Sequence, residues 1–487
     1  MGFGIAMNEQ KMKGTKVGAV IPVFNRSSDL KVLLESLEKQ TFVKEGGTLD
    51  VLVVDNASTD NVADVVRQGV CNVELVTLTE NRGACQGFNH GMRLLLGRES
   101  YDFLWLLDSD LWASESALER LIASMEEDAA IGLAGSLIVN SRDHTVAVEA
   151  GAMIDLQHGG VQPRMCNAPL SLISERIIQV DYVGSGVSLM RVEAARGAGC
   201  YDERYHFLWE DMDYGLMMQR LGWKVVAVTD SLVYHPPFTE KRSAQVDAYY
   251  GVRNPMITIS KYAGNTDRIF ILYNFLRRAF KGMFFRRING VKSLSSLTWS
   301  AISDFILGRL GQSTRTASID EGHGASCEEV HVAQDNYIVL PSGTLTMISD
   351  IVHALKENGG KDVILVVQDY RKELFRTLPI DQFVIYNDKS PHLLFEHLRV
   401  FVKLMTIPGV VINPDFKRGS PFTYSHSKVA TWDPEAKKLF ASNENIISIW
   451  KLLAAVLCGE IAAFLLMLPV LLRSYTFRVE PFRSDRA

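Results

Sequence analysis

The chain has 487 residues, 47% of them hydrophobic and 22% charged, with a formal net charge of −5. That length exceeds one ordinary core, so two or three domains are expected, and the acidic balance argues against nucleic acid as the main partner. The six cysteines (Cys71, Cys85, Cys166, Cys200, Cys327, Cys458) have neither metal-ligand spacing nor a disulfide pattern, which fits a reducing compartment.

From Val17 to about Pro237, short apolar runs alternate with helical patterns. Val17–Val23, Asp50–Val54, Val73–Leu78 and Phe103–Leu107 read as strands, with helices over Asp29–Gln40, Val62–Gln68 and Ala84–Leu96 between them. Such βαβα alternation predicts a Rossmann-like, mostly parallel sheet with helices on both faces. Because Val17–Val23 reads as a strand rather than the apolar core of a leader, this part is expected to face the cytosol.

The strand ends carry the chemistry. The first runs into Pro22-Val23-Phe24-Asn25-Arg26, and the second into Asp55-Asn56-Ala57-Ser58-Thr59-Asp60. A carboxylate at a strand's carboxyl end, such as Asp55, can accept from the imide N–H of a pyrimidine; the alternative is a turn-forming aspartate. Glu80-Asn81-Arg82-Gly83 then opens a helix whose N-terminus invites an anion such as a diphosphate. The fourth strand, Phe103–Leu107, lacks polar alternation and ends in Asp108-Ser109-Asp110. Two carboxylates this close repel unless a divalent cation or a donor-rich ligand lies between them, although a strand end followed by a helix cap at Asp110 or Ser114 gives the same spacing.

Residues 246–313 differ in character. Between Arg268 and Lys292 there are seven basic residues and no acid, interleaved with Phe270, Tyr273, Phe275, Phe280, Phe284 and Phe285. On helices, this composition suits an anionic membrane surface, or a solvated basic face over the sheet. Residues 314–330 read as a polar linker. A second α/β pattern over 331–440 follows, with strands at Tyr337–Leu340, Asp362–Val367, Gln382–Tyr386 and Gly409–Ile412. Helices are expected near 344–358, 371–378 and 391–405. Finally, residues 446–473 contain an apolar run long enough to cross a bilayer. Glu460 at its centre would cost about 2.5–3.5 kcal/mol if it behaves like aspartate, so a spanning helix, a hairpin breaking at Gly459-Glu460 and a buried helix all stay open.

The series Pro22 to Arg26, Val54 to Asp60, Asn81-Arg82-Gly83 and Asp108-Ser109-Asp110 resembles glycosyltransferase family 2, inverting enzymes of the GT-A fold. The resemblance continues through Gly184-Ser185-Gly186, Trp209-Glu210-Asp211-Met212-Asp213-Tyr214-Gly215-Leu216 and His235-Pro236, and covers roughly residues 16–310. In motif it is closest to bacterial rhamnosyl- and galactofuranosyl-transferases. It implies a GT-A catalytic domain over 16–245, followed by the helical membrane-proximal region, the linker, a small Rossmann-like accessory domain and the hydrophobic helix. It also implies site roles. Pro22, Phe24, Asp55, Arg82 and Asp108 would bind the nucleotide, and Asp110, His235 and Asp108 a divalent metal, Mn²⁺ or Mg²⁺. Asp211 would be the general base beside Glu210, and Trp209, Gly184 and Asp213 would meet the acceptor.

The implied reaction moves a sugar from a UDP or dTDP donor to a lipid-linked or cell-surface glycan at the cytoplasmic face of the cell membrane. A polyprenyl-phosphate glycosyl synthase and a non-catalytic glycan-assembly scaffold are the competing readings. One departure concerns the donor: Ala84-Cys85-Gln86-Gly87 follows Asn81-Arg82-Gly83, where galactofuranosyltransferases run more glycine. The second α/β unit looks faintly like the N-terminal half of a heptosyltransferase-type enzyme. Without room for the nucleotide-binding half, it is expected to be an accessory module.

Overall fold

The structure is a computed structural model. It describes residues 13–68, 73–98, 100–156, 160–166, 168–236, 244–288, 291–313, 335–340, 345–369, 372–413 with short gaps, 429–433, 438–441 and 449–477. The linker 314–330 and most of the helix expected at 391–405 lie outside these residues. The chain divides into two compact units, one of residues 1–272, 301–314 and 468–487, the other of residues 273–300 and 315–467.

The first unit is built on one large sheet. Its early strands are β1 (Lys16–Val23), β2 (Thr48–Asp55), β3 (Val73–Thr77) and β4 (Phe103–Leu107), with helices α1 (Ser27–Glu38), α2 (Val62–Gln68) and α3 (Gly83–Leu96) between them. After the two-residue β5 (Trp112–Ala113) come α4 (Ala117–Glu127), β6 (Ile131–Asn140) and β7 (Ala147–Glu149). A separate hairpin, β8 (Ala152–Asp155) and β9 (Gly160–Pro163), precedes β10 (Ile177–Gln179), β11 (Val187–Arg191) and α5 (Val192–Ala198). Then α6 (Glu210–Arg220) leads into the twelve-residue β12 (Lys224–His235). The order is β10-β12-β6-β11-β4-β1-β2-β3, with β5 on β12 and β7 on β6.

The β3-β2-β1-β4 half is all parallel, as the βαβ alternation requires. Beyond it, β11 runs antiparallel between β4 and β6, and β12 returns parallel to β6. This parallel half joined to a mixed half is the GT-A fold. Because both faces are covered, β1 from Val17 onward and all of β4 are apolar rather than alternating: β4 is buried at all five positions. Leu30, Leu33, Leu118 and Leu121 of α1 and α4 pack one face, and Phe88, Met92, Met217 and Met218 of α3 and α6 the other. Gly91 lets α3 approach β1 closely, since a Cβ there would lie 2.3 Å from a methyl of Val20.

Three helices follow: α7 (Ala244–Tyr262), α8 (Asn265–Ile288) and α9 (Lys292–Leu307). In the second unit, β13 (Tyr337–Val339), α10 (Leu345–Glu357), β14 (Val363–Gln368), β15 (Gln382–Tyr386), β16 (Val410–Asn413), β17 (Val429–Asp433) and β18 (Lys438–Ala441) build a sheet ordered β15-β14-β13-β16-β17-β18. It is parallel except for the β17–β18 edge, and apolar clusters cover both faces. The last helix, α11 (Ile449–Ser474), is continuous through Gly459-Glu460, so no hairpin breaks there. Nor is it a core helix, because Leu457, Phe464, Leu465 and Leu468 are 61–74% exposed. Glu460 is not isolated: Tyr273 donates to its Oε2 at 3.0 Å, and Arg277 pairs with its Oε1 at 3.3 Å.

Candidate active site

The chemistry gathers at the carboxyl ends of β1, β2 and β4, as expected for an open α/β sheet. Pro22 and Val23 sit in register with Val54 and Asp55. Asp55 is 4% exposed, and its Oδ1 accepts from Ser58 N at 2.9 Å, which folds the following turn back over the strand end. The β1 loop joins that turn: Asn25 Oδ1 accepts from Thr59 N (2.7 Å) and Ser58 Oγ from Asn25 N (2.9 Å). Asp60 accepts from Ser27 N at 2.9 Å, satisfying a free N–H in the first turn of α1. Phe24 stays 41% exposed at the loop's edge. Arg82 immediately precedes α3 and pairs with Glu80 at 3.1 Å in solvent.

Past β4, Asp108, Asp110 and His235 converge. One ligand atom from each lies within 4.8 Å of the others. His235 reaches the group because β5 pairs antiparallel with the end of β12, Trp112 opposite Tyr234 and Ala113 opposite Val233. Its Nε2 lies 3.1 Å from Asp110 Oδ1, while Nδ1 faces the Pro236 carbonyl. With the proton on Nδ1, the Nε2 lone pair points into the cluster, the orientation a metal-ligating histidine needs. Arg26 pairs with the other Asp110 oxygen at 2.7 Å. Two carboxylates and an imidazole fit a divalent cation that accepts both oxygen and nitrogen donors.

The loop Gly184-Ser185-Gly186 abuts the same cluster. Asp108 N donates to Gly186 O at 3.0 Å, and a Cβ on Gly186 would lie 2.0 Å from Asp108 Cγ. Only glycine fits at position 186, whereas a Cβ at Gly184 would meet nothing closer than a methyl of Val187 at 3.5 Å.

On the face that α3 also covers, α6 begins with Glu210 and Asp211. Glu210 is buried and Asp211 half-buried, with Asp211 Oδ1 accepting from Met212 N at 2.8 Å. Both acids lie in the first turn, where the helix dipole favours negative charge. Trp209 is 7% exposed and left-handed (φ 75°), as are Leu208 (φ 65°) and His206 (φ 64°). Non-glycine residues held this way cost about 1–3 kcal/mol each, so the surrounding contacts must over-determine them.

Asp213 lies elsewhere. It is 4% exposed and binds Lys261 Nζ at 2.6 Å, with the Tyr205 hydroxyl donating to it at 3.1 Å. Lys261 also reaches Asp202 at 3.2 Å, and Arg204 grips Asp202 with a bidentate fork. Burial pushes the Asp213 carboxyl up against the pull of Lys261. For Asp202, burial acts the same way, but Arg204 and Lys261 outweigh it and hold the group below its usual range. Asp213 therefore anchors α6 to α7.

Residues 19–167 match the profile of the family described as "Glycosyl transferase family 2". That stretch is similar to family 2 glycosyltransferase domains. The family 2 match takes in Pro22, Phe24, Asp55, Arg82, Asp108 and Asp110, whereas Gly184, Asp211 and His235 lie beyond it. The chain is 30% identical over 112 residues to the glycosyltransferase AglE of Haloferax volcanii, covering 22% of this chain and 35% of that one. An uncharacterised protein of Methanocaldococcus jannaschii is 26% identical over 122 residues, 24% of this chain and 50% of the other. The chain thus spans half or less of the length of these curated relatives. The crystal structure of Staphylococcus aureus TarS 1–349 is similar over 60% of this chain and 80% of that chain, with 23% identity and a TM-score of 0.39.

Two contributors to the candidate site carried no assigned role in the sequence. Arg26 stands inside the Pro22–Arg26 motif, and only the fold puts it on Asp110. Gly186 stands inside the quoted loop, and only the β4–β11 pairing explains it. His206 adds a pH dependence to the same unit: burial first, then Arg253, holds its imidazole below the ordinary histidine range, and burial with Arg93 does the same for His90. The native state then binds fewer protons than the unfolded chain once pH falls below about 6.5. Stability is therefore fully present above that pH and declines as pH falls toward the depressed native values. The thermal midpoint should drop between about pH 7 and pH 5, and less steeply in His206→Asn, since asparagine tolerates φ > 0.

Proposed function

We propose that the chain is an inverting, metal-dependent glycosyltransferase. It moves a sugar of the rhamnose or galactofuranose type from a UDP- or dTDP-linked donor to a lipid-linked or cell-surface glycan. The observation that carries this reading is the convergence of Asp108, Asp110 and His235 beside Gly186 and Arg26, at the strand ends that also hold Asp55. Asp55 accepts from the base, and Arg82 with the N-terminus of α3 takes part of the diphosphate charge. Asp211 accepts the proton of the acceptor hydroxyl as its oxygen attacks the anomeric carbon. The bond to the diphosphate oxygen breaks on the opposite side, the electron pair leaves with the diphosphate, and the anomeric configuration inverts. Trp209 and the 184–186 loop position the acceptor. A divalent cation held by Asp110, His235 and Asp108 would offset the charge of the departing diphosphate, and the nitrogen ligand favours Mn²⁺ over Mg²⁺.

We place the reaction at the cytoplasmic face of a membrane. Within α11, Leu457–Ser474 has mean hydropathy 1.8 and is only 22% buried, which supports insertion of that helix. Flotation with phosphatidylglycerol vesicles tests it; full-length protein left at the bottom of the gradient overturns it.

To test the reaction, nucleotide release is measured with UDP- and dTDP-sugars and a glycolipid acceptor in Mn²⁺ or Mg²⁺. Wild type should release nucleotide only with metal, and Asp110→Ala should abolish it. Release that survives Asp110→Ala, or that ignores chelation, would sink the assignment.

A further inference from the structure

Three of the six non-glycine residues with positive φ among the described residues fall within four positions, His206, Leu208 and Trp209, directly before Glu210 and Asp211. No side chain within that segment accounts for the conformation. Two adjacent residues of α7 do. Arg253, fully buried, donates from Nη2 to the carbonyls of Arg204 (3.2 Å) and Tyr205 (2.9 Å), and from Nη1 to Gly311 (2.7 Å). Asn254, also fully buried, places Nδ2 against the carbonyls of Tyr205 (3.1 Å), Phe207 (2.8 Å) and Leu208 (2.7 Å). Its two N–H groups serve three carbonyls, so one hydrogen is shared. Arg253 Nε in turn donates to Asn254 Oδ1 at 3.0 Å, fixing which way the amide points.

The left-handed residues His206 and Leu208 are interleaved with the clamped carbonyls of Tyr205, Phe207 and Leu208, which lie in a partly buried setting. Leaving them unpaired would be costly, so the clamp and the conformation require each other. The clamped segment also reaches the nucleotide side: the His206 imidazole lies beneath Gly83, 3.0 Å from where a Cβ would stand. One short segment thus touches the loop that opens α3 and aims the proton-accepting end of α6.

We propose that Arg253 and Asn254 are positioning residues for the transfer reaction, holding the carbonyls of residues 204–208 and with them the left-handed His206, Leu208 and Trp209 that lead into Asp211. This rests on the glycosyltransferase reading above. Because Asp55 and Asp108 are held at the ends of β2 and β4, losing the clamp misplaces the base while these two donor-side acids keep their places. Ångström-scale misplacement of a reacting group costs on the order of 10²-fold in rate.

The test compares Asn254→Ala and Asn254→Asp with wild type at equal folded concentration. Turnover should fall about 30- to 300-fold while UDP affinity changes less than about threefold, and the acid limb of the kcat–pH profile should move. Adding Leu208→Gly to Asn254→Ala should recover about tenfold, because glycine takes φ > 0 without a side-chain penalty. If Asn254→Ala does not fold, Arg253→Lys, which keeps the charge but not the fork, takes its place with the same readouts. Turnover within threefold of wild type with an unmoved acid limb overturns the proposal, as does a loss matched by an equal loss of UDP affinity. A wild type inactive on every nucleotide sugar overturns the glycosyltransferase reading instead.

Discussion

Asp211→Asn should lower turnover by about 10²–10⁴-fold, the range for removing a general base, while leaving nucleotide affinity close to wild type. The substitution keeps the size of the side chain. Asp211 accepts a backbone hydrogen bond from Met212 N, and an asparagine carbonyl can accept the same bond. What disappears is the charge, worth about 0.3–1 kcal/mol to the first turn of α6. A stability loss of that size cannot account for a rate loss of several orders of magnitude. Single-turnover nucleotide release, with UDP affinity measured in parallel, separates the two. Turnover within tenfold of wild type would move the base elsewhere, and Glu210, one residue earlier in the same turn, would be next in line.

Lys261→Met should destabilise the first unit by about 3–5 kcal/mol, the usual cost of removing one partner from a buried ion pair. Methionine replaces the stem of Lys261 well but supplies no charge. Asp213 would then sit 4% exposed with only the Tyr205 hydroxyl and residual negative neighbours, and Asp202 would rely on Arg204 alone. The urea midpoint reads the loss. Asp213→Asn in the Lys261→Met background should recover much of it, because the stranded charge is what costs. A single-variant loss under about 1 kcal/mol would mean that solvent reaches this pair.

Much of the parallel half of the sheet was legible from residues alone. β4 begins and ends where the apolar run Phe103–Leu107 does, and β1 to β3 differ from their expected bounds by one or two residues. Runs buried on both faces have few alternatives, and each ends in a polar loop. The mixed half was far less legible: β11 inserts between β4 and β6 through pairings that no local pattern encodes. Likewise β17 and β18 are short, and an edge pair like theirs is specified mainly by its neighbours. At the site, Asp108, Asp110 and His235 were nameable from a motif series, but their closeness depends on β5, two residues long. The surroundings of Asp213 were not readable, because Lys261 lies 48 positions away on another helix. The left-handed segment gave no warning either. Histidine, leucine and tryptophan do not advertise positive φ as glycine would, and its cause sits in α7.

The small strand β5 has a further consequence. The carboxylates hang from β4 and the imidazole from β12, with β11 and β6 lying between those strands in the sheet. The three donors can therefore meet only after the mixed half has been zipped and Trp112 has docked on Tyr234. A chain folded only through β4 would own two carboxylates and no complete cage. If the proposed metal site is right, cation capture and completion of the sheet would be one linked equilibrium, in which a divalent cation would select the finished molecule over partly assembled ones.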